Sequence, residues 1–303
     1  MNERELLAVP MQALSSGPGL NIQSGVARRA GVLWCTRHRA VAGISDTVFV
    51  FVHPSSNFMG HYALATMAEM GVDAVGMSTR YLSNESTLLL EDCVVDIGSV
   101  IAHLRNDGYR RIVLVGNSGG GALAALYQNQ AEAPTIRSAP CGSGPDLTQA
   151  KLPPADALVM LMAHPGRNTV FTDKLDPAVR NEFDPFDRDP ELDMFEPANG
   201  PPYTQEFLAR YRTAQRARNE RITNWALERL AFLRTRTGGK VHDLPFVVHG
   251  TMADPRFIDP AVDPNDRPPG QCFLGDPRTV NMSPIGLARF CTLRSWLSQW
   301  SYD

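Results

Sequence analysis

Apolar residues along the chain fall into two kinds of pattern. Short uninterrupted runs occur at 47–53 (TVFVFVH), 72–77 (VDAVGM), 111–115 (RIVLV) and 157–163 (ALVMLMA). Runs of this length, rich in β-branched and aliphatic residues, suit strands covered on both faces. Between them lie segments with helical spacing. One is Met59–Met70, closed by Gly71 as a C-cap; another is Leu88–Leu104, stopping before Asn106-Asp107-Gly108. A third, the Ala/Leu-rich stretch 122–130, follows the run at 111–115 with only a glycine-rich turn between. Strands alternating with helices through short connections predict an α/β fold, with a mostly parallel, doubly wound sheet flanked by helices.

The second half changes character. Residues 167–202 are rich in Asp and Pro, as expected of a winding surface segment. Tyr203–Thr235 then reads as a long Arg-rich helix whose apolar positions, among them Phe207, Tyr211, Ile222, Trp225 and Leu230, are separated by charge. Its arginines, interspersed with Glu206, Glu220 and Glu228, read as a solvated face, and a site for anionic substrates is the alternative. Pro245–His249 has the look of one further core strand, and 253–284 is again loop-like. Gly286–Trp300 reads as a helix with Leu287, Phe290, Leu293, Trp296, Leu297 and Trp300 on one stripe. The predicted organisation is a sheet domain over 1–166 and a helical, irregular cap or insertion over 167–303. The apolar stripe at the end of the chain offers a surface to a second copy or to more polypeptide.

Composition narrows the function classes. The 303 residues are 43% hydrophobic and 20% charged, enough for a sizeable core. Lys and Arg number 29 against 32 Asp and Glu, a net charge of −3 that gives no footprint for nucleic acid or an anionic membrane. No apolar run approaches the ~20 residues that span a bilayer, and the N-terminus lacks the basic-then-apolar order of a secretion leader, so a cytoplasmic location is expected. The five cysteines are scattered with no CxxC or zinc-type spacing, as befits reduced structural thiols. Neither a metal nor an organic cofactor is implied.

The informative motif is Gly116-Asn117-Ser118-Gly119-Gly120, between a strand and a helix. A serine at so sharp a turn is held in a strained conformation, and residues two positions either side must be tiny. The turn thrusts the Ser118 hydroxyl out at the carboxyl end of the sheet, while the Gly119 amide, at the first helical turn, points to the same place. The glycine spacing is wrong for a dinucleotide fingerprint, and no GK[ST] follows, which excludes a P-loop.

Through VFVFVHPSSNFMGHY, VDAVGM and VLVGNSGGGALAAL, residues 45–166 resemble the α/β-hydrolase fold family. The resemblance implies a serine hydrolase acting on a small-molecule carboxylic ester or thioester through an acyl-enzyme on Ser118. Oxyanion amides would come from Gly119 and from Ser55, after His53-Pro54. Asn57, Phe58 and Asn117 would line the substrate site, and His53 would be structural. In this fold the acid and then the base follow the serine. Asp254, in FVVHGTMADP, resembles the acid segment, yet no histidine follows it. Three readings stay open. The chain stops before the end of a full hydrolase domain; or a rearranged site uses His164 or His249 as base; or the protein is an inactive relative that binds a ligand or partner. A C–C hydrolase or acyltransferase would use the same elbow.

Overall fold

The computed structural model describes residues 3–302 apart from 13–19, 24–25, 30, 42, 265–267, 269, 273 and 284–289. The chain divides into two compact units, Met1–Gly166 and Arg167–Asp303. In the first, β1 (Arg4–Pro10), β2 (Val32–His38), β3 (Thr47–Val52), β4 (Asp73–Met77), β5 (Arg111–Asn117) and β6 (Ala157–Leu161) form one sheet in the order β1-β2-β4-β3-β5-β6. The pairs β4–β3, β3–β5 and β5–β6 are parallel, whereas β1–β2 and β2–β4 are antiparallel.

Residue alternation along β3 explains why it is central. Val48, Val50 and Val52 face one layer, packed with Ile97, Val100 and Ile101 of α2 (Leu90–Asn106, after α1, Ala63–Glu69). Phe49 and Phe51 face the other, against Phe58, Leu64 of α1 and Val115. Each such side chain contributes about 1.5–3 kcal/mol on burial. The runs at 47–53, 72–77, 111–115 and 157–163 are the four strands of the parallel part. β1 and β2 contain the short apolar runs LLAV and VLWC, which the sequence reading does not assign to strands; one face of each is wet, with Leu6 and Trp34 pointing outward at 62% and 49% exposure.

The second unit contains α4 (Arg167–Thr172), the short strands β7 (Val179–Asn181) and β8 (Asp184–Arg188), and the 33-residue α5 (Gln205–Thr237). It continues with β9 (Pro245–Val247), α6 (Pro277–Met282), β10 (Phe290–Thr292) and α7 (Leu293–Trp300). The Thr204 hydroxyl caps α5 by accepting from the Phe207 amide, and Gly238, at φ 58°, ends it. Two expectations are corrected here. The strand at 245–247 pairs antiparallel with 290–292 in a two-stranded ribbon and is not part of the six-stranded sheet. The C-terminal stripe is not an open surface: Leu293, Trp296, Leu297 and Trp300 are buried inside the unit, with the two indoles stacked at 4.1 Å. The first part of that expected helix, 284–289, lies outside the described residues, and 290–292 is strand.

All five cysteines are buried thiols outside any disulfide. No helix among the described residues is long and apolar enough to cross a membrane.

Candidate active site

Ser118 sits at the turn from β5 into α3 (Gly119–Glu132), with φ 54° and ψ −121°, and is exposed. No L-residue relaxes into that combination, so the surrounding packing must impose it. The glycines show how. A Cβ on Gly120 would run into the Val52 carbonyl oxygen, one on Gly121 into the Cβ of Ala163, and one on Gly116 into the Gly120 carbonyl. Strand and helix therefore approach backbone to backbone. The Ser118 amide donates to the Leu161 carbonyl at 3.0 Å, and the Gly121 amide donates to the Ser118 carbonyl at 3.0 Å.

Two imidazoles meet beside this turn. The Nε2 atoms of His53 and His164 lie 3.1 and 3.3 Å from the point a Cβ would occupy on Gly119. Their tautomers follow from their other ring nitrogens. His53 Nδ1 accepts from the amides of Ser55 at 3.2 Å and Ser56 at 3.0 Å, so in the neutral ring Nε2 carries the proton. His164 Nδ1 lies 2.7 Å from the Pro165 carbonyl, which can only accept, so here Nδ1 is protonated and Nε2 presents a lone pair. A donor and an acceptor nitrogen thus face the same turn.

The other anticipated residues fall into distinct places. The Ser55 amide, expected as an oxyanion donor, is turned into the His53 ring, and the Ser55 hydroxyl donates to Glu85 at 2.7 Å. Phe58, expected to line a substrate site, is buried between Phe51, Leu64, Ala74 and Val115. Asn57 is exposed, and its carbonyl caps a short 3-10 turn by accepting from the Met59 amide at 3.1 Å. Asn117 clips β5 to β6: its amide donates to the Leu161 carbonyl at 2.8 Å, while its Oδ1 lies 3.4 Å from His61 Nε2. His61 is held against Phe51, Phe58 and Tyr62, and burial lowers its pKa despite the opposing Asn117 bond.

Asp254, the expected acid, belongs to the second unit and is 1% exposed. Its Oδ1 accepts from Arg212 at 2.7 Å and from the Arg256 amide and Nε, and its Oδ2 accepts from Arg256 Nη2 at 2.6 Å and Nε at 2.8 Å. That fills the roughly four lone-pair sites of a carboxylate and leaves none for an imidazole N–H. Burial raises its pKa, but the Arg256 hydrogen bonds and the charges of Arg212 and Arg256 outweigh burial and leave it lowered. His249, the alternative base, contributes its carbonyl to Arg218 at 2.7 Å. Among the described residues, no group of three or more His, Cys, Asp or Glu is placed to hold a metal.

No family model matches the chain, and no curated protein matches it. Solved structures do. A putative hydrolase from Agrobacterium vitis S4 aligns at 16% identity and TM-score 0.33, over 57% of this chain and 55% of that one. XC6422 from Xanthomonas campestris, described as an a/b serine hydrolase without lid, aligns at 19% identity and TM-score 0.30, over 52% and 71%. The hypothetical protein PA2218 from Pseudomonas aeruginosa aligns at 12% and 0.44, over 99% and 72%. The chain thus spans about half the length of the Agrobacterium structure. A mostly parallel sheet with helices on both faces, entered by a strand–Ser–helix elbow, decides the architecture. The first unit has an α/β-hydrolase fold. Within that fold the sequence located the elbow, but it did not show that His53 Nε2 lies beside Gly119. The signal in the sequence was the His-Pro dipeptide at a strand end, which carries no information on which ring nitrogen faces Gly119.

Proposed function

We propose that the protein is a serine hydrolase that cleaves a carboxylic ester or thioester through an acyl-enzyme on Ser118. The observation that supports this most is the exposed, strained serine followed by Gly119, toward which two imidazole Nε2 atoms of opposite tautomer converge. In this reading His164 Nε2 takes the Ser118 proton as Oγ attacks the carbonyl carbon. The negative charge passes to the carbonyl oxygen, which receives hydrogen bonds from the Gly119 amide and from His53 Nε2–H. The tetrahedral intermediate collapses, the C–O or C–S bond breaks, and His164 returns the proton to the leaving alkoxide or thiolate. Water then repeats the sequence on the acyl-enzyme, releasing the carboxylic acid and restoring Ser118.

Ser55 takes the role of positioning His53, since its amide is committed to that ring. Asp254 takes no part as the acid, being saturated by Arg212 and Arg256. The Pro165 carbonyl orients His164 in the place where a carboxylate usually does so.

Fluorophosphonate labelling read by mass spectrometry tests the proposal. A mass increase on the peptide bearing Ser118, lost in Ser118→Ala, is expected, together with p-nitrophenyl butyrate turnover that the same substitution abolishes. An unlabelled peptide with no turnover above background favours the inactive, binding-only reading, and turnover that persists in Ser118→Ala removes Ser118 as the nucleophile.

A further inference from the structure

The second unit holds a pocket of its own, about 630 Å³, between the β7–β8 turn, the middle of α5 and the segment around β9. That volume lies in the range of small-molecule sites. All of its lining belongs to residues 180–249, so it is complete within the unit. Its apolar part is an aromatic corner. The Trp225 indole meets Phe246 at 5.1 Å and Phe183 edge-on at 6.3 Å, over a floor that includes the buried Ile222 and Val248.

Its charge is one-sided. Three arginines, Arg180, Arg221 and Arg229, line it against one carboxylate, Glu182. Glu182 is already committed. Arg218, buried at 1% exposure, donates to it at 3.0 and 2.6 Å, and Arg221 adds a contact at 3.1 Å. Arg229 differs from its neighbours. Its guanidinium lies over the faces of Trp225 and Phe232, at 5.7 and 5.5 Å, and no carboxylate among the described residues pairs with it. A guanidinium stacked on aromatic faces keeps its N–H edge available to an anion, and stacking reduces the rotamer freedom lost when one binds.

We propose that this pocket binds an organic anion: a carboxylate or sulfonate on a flat apolar body. Arg229 takes the anionic group and the Trp225 corner takes the body. An excess of fixed positive charge argues against an ammonium ligand, which the aromatic rings alone would also accept. The proposal is independent of the chemistry assigned to Ser118, since no residue is shared.

The test titrates the full-length protein with 8-anilinonaphthalene-1-sulfonate and, in parallel, with its neutral counterpart N-phenyl-1-naphthylamine, following dye fluorescence. Saturable 1:1 binding of the sulfonate is expected, displaced by 2-naphthoate. Arg229→Gln should weaken it about tenfold or more, the range for one lost charged hydrogen bond, while leaving the neutral dye unaffected. Val247→Glu, at a half-exposed lining position, should abolish sulfonate binding by placing a like charge in the pocket. Unchanged circular dichroism qualifies both variants as folded. Equal affinity of the two dyes, or sulfonate binding that neither substitution alters, overturns the proposal.

Discussion

The strain at Ser118 can be measured by removing the same hydroxyl in two ways. Ser118→Ala keeps a Cβ at φ 54°, ψ −121°, whereas Ser118→Gly does not. A non-glycine residue in such a region costs about 1–3 kcal/mol. Glycine gives back about 0.4–1 kcal/mol through the greater freedom of the unfolded chain. Because the serine is exposed, neither substitution empties a cavity, and the difference isolates the backbone. Ser118→Gly should therefore be more stable than Ser118→Ala by about 0.5–2 kcal/mol. With a urea m-value of about 1–3 kcal/mol/M, the midpoint should move upward by several tenths of a molar. Urea-dependent hydrogen exchange, read by mass spectrometry on peptides from β5 and α3, reports on the first unit alone. Both variants should be inert towards p-nitrophenyl butyrate. A Ser118→Ala midpoint equal to or above that of Ser118→Gly would refute the idea that packing holds this turn against its own preference.

Three further outcomes follow from particular contacts. His53→Asn keeps an acceptor near the Ser55 and Ser56 amides but removes Nε2–H; kcat on p-nitrophenyl butyrate should fall about 10²- to 10³-fold with little change in KM, and an unaltered kcat would remove His53 from the oxyanion site. Burial pushes Lys174 down to about 8, with Asp254 and Asp173 opposing. Its folded pKa lies below the ordinary 10.5, so the unfolded chain binds more protons between pH 8 and 10.5, and stability rises with pH across that window. Lys174→Met should be the more stable by up to about 3 kcal/mol at pH 7, an advantage that shrinks by pH 10 in paired urea titrations. Asp254→Asn leaves Arg212 and Arg256 without their shared carboxylate and should destabilise the second unit by about 3 kcal/mol. Wild-type stability from this group is present above pH 3.8 and is lost as pH falls through the lowered folded value, a slope that the Asn variant should lack in acid denaturation.

What the sequence disclosed was local. The elbow was legible because its glycines all lie within three residues of Ser118 in the sequence, and β3 to β5 were legible because burial on both faces leaves continuous apolar runs; β6 keeps such a run although Val159 and Met160 are exposed. What escaped depended on distant partners. Arg218 reads as one more solvated arginine on α5, yet it is buried because Glu182, thirty-six residues earlier, and the carbonyls of Asp176, His249 and Gly250 converge on it. The Ser55 amide was assigned by position after a strand, but its direction is set by the ring of His53. Asp254 looked like an acid because a strand-like run and a turn precede it; the two arginines that occupy it come from the first third of α5 and from the following turn.

These displacements bear on how the proposed base works. A carboxylate next to a catalytic imidazole does two things: it selects the tautomer, and its charge stabilises the imidazolium that forms in the transition state. The Pro165 carbonyl performs the first, holding Nδ1–H at 2.7 Å. As a neutral dipole it does less of the second, since hydrogen bonds to charged acceptors are roughly twice as strong as neutral ones. Proton abstraction from Ser118 is then the weak step. In the proposed mechanism a second histidine of opposite tautomer offsets part of that weakness by lowering the energy of the oxyanion instead of the imidazolium. The burden moves from the base to the charge developing on the substrate. It follows that substrates whose leaving groups depart without a proton, aryl esters and thioesters, suit this site better than alkyl esters, which need the imidazolium to complete the reaction.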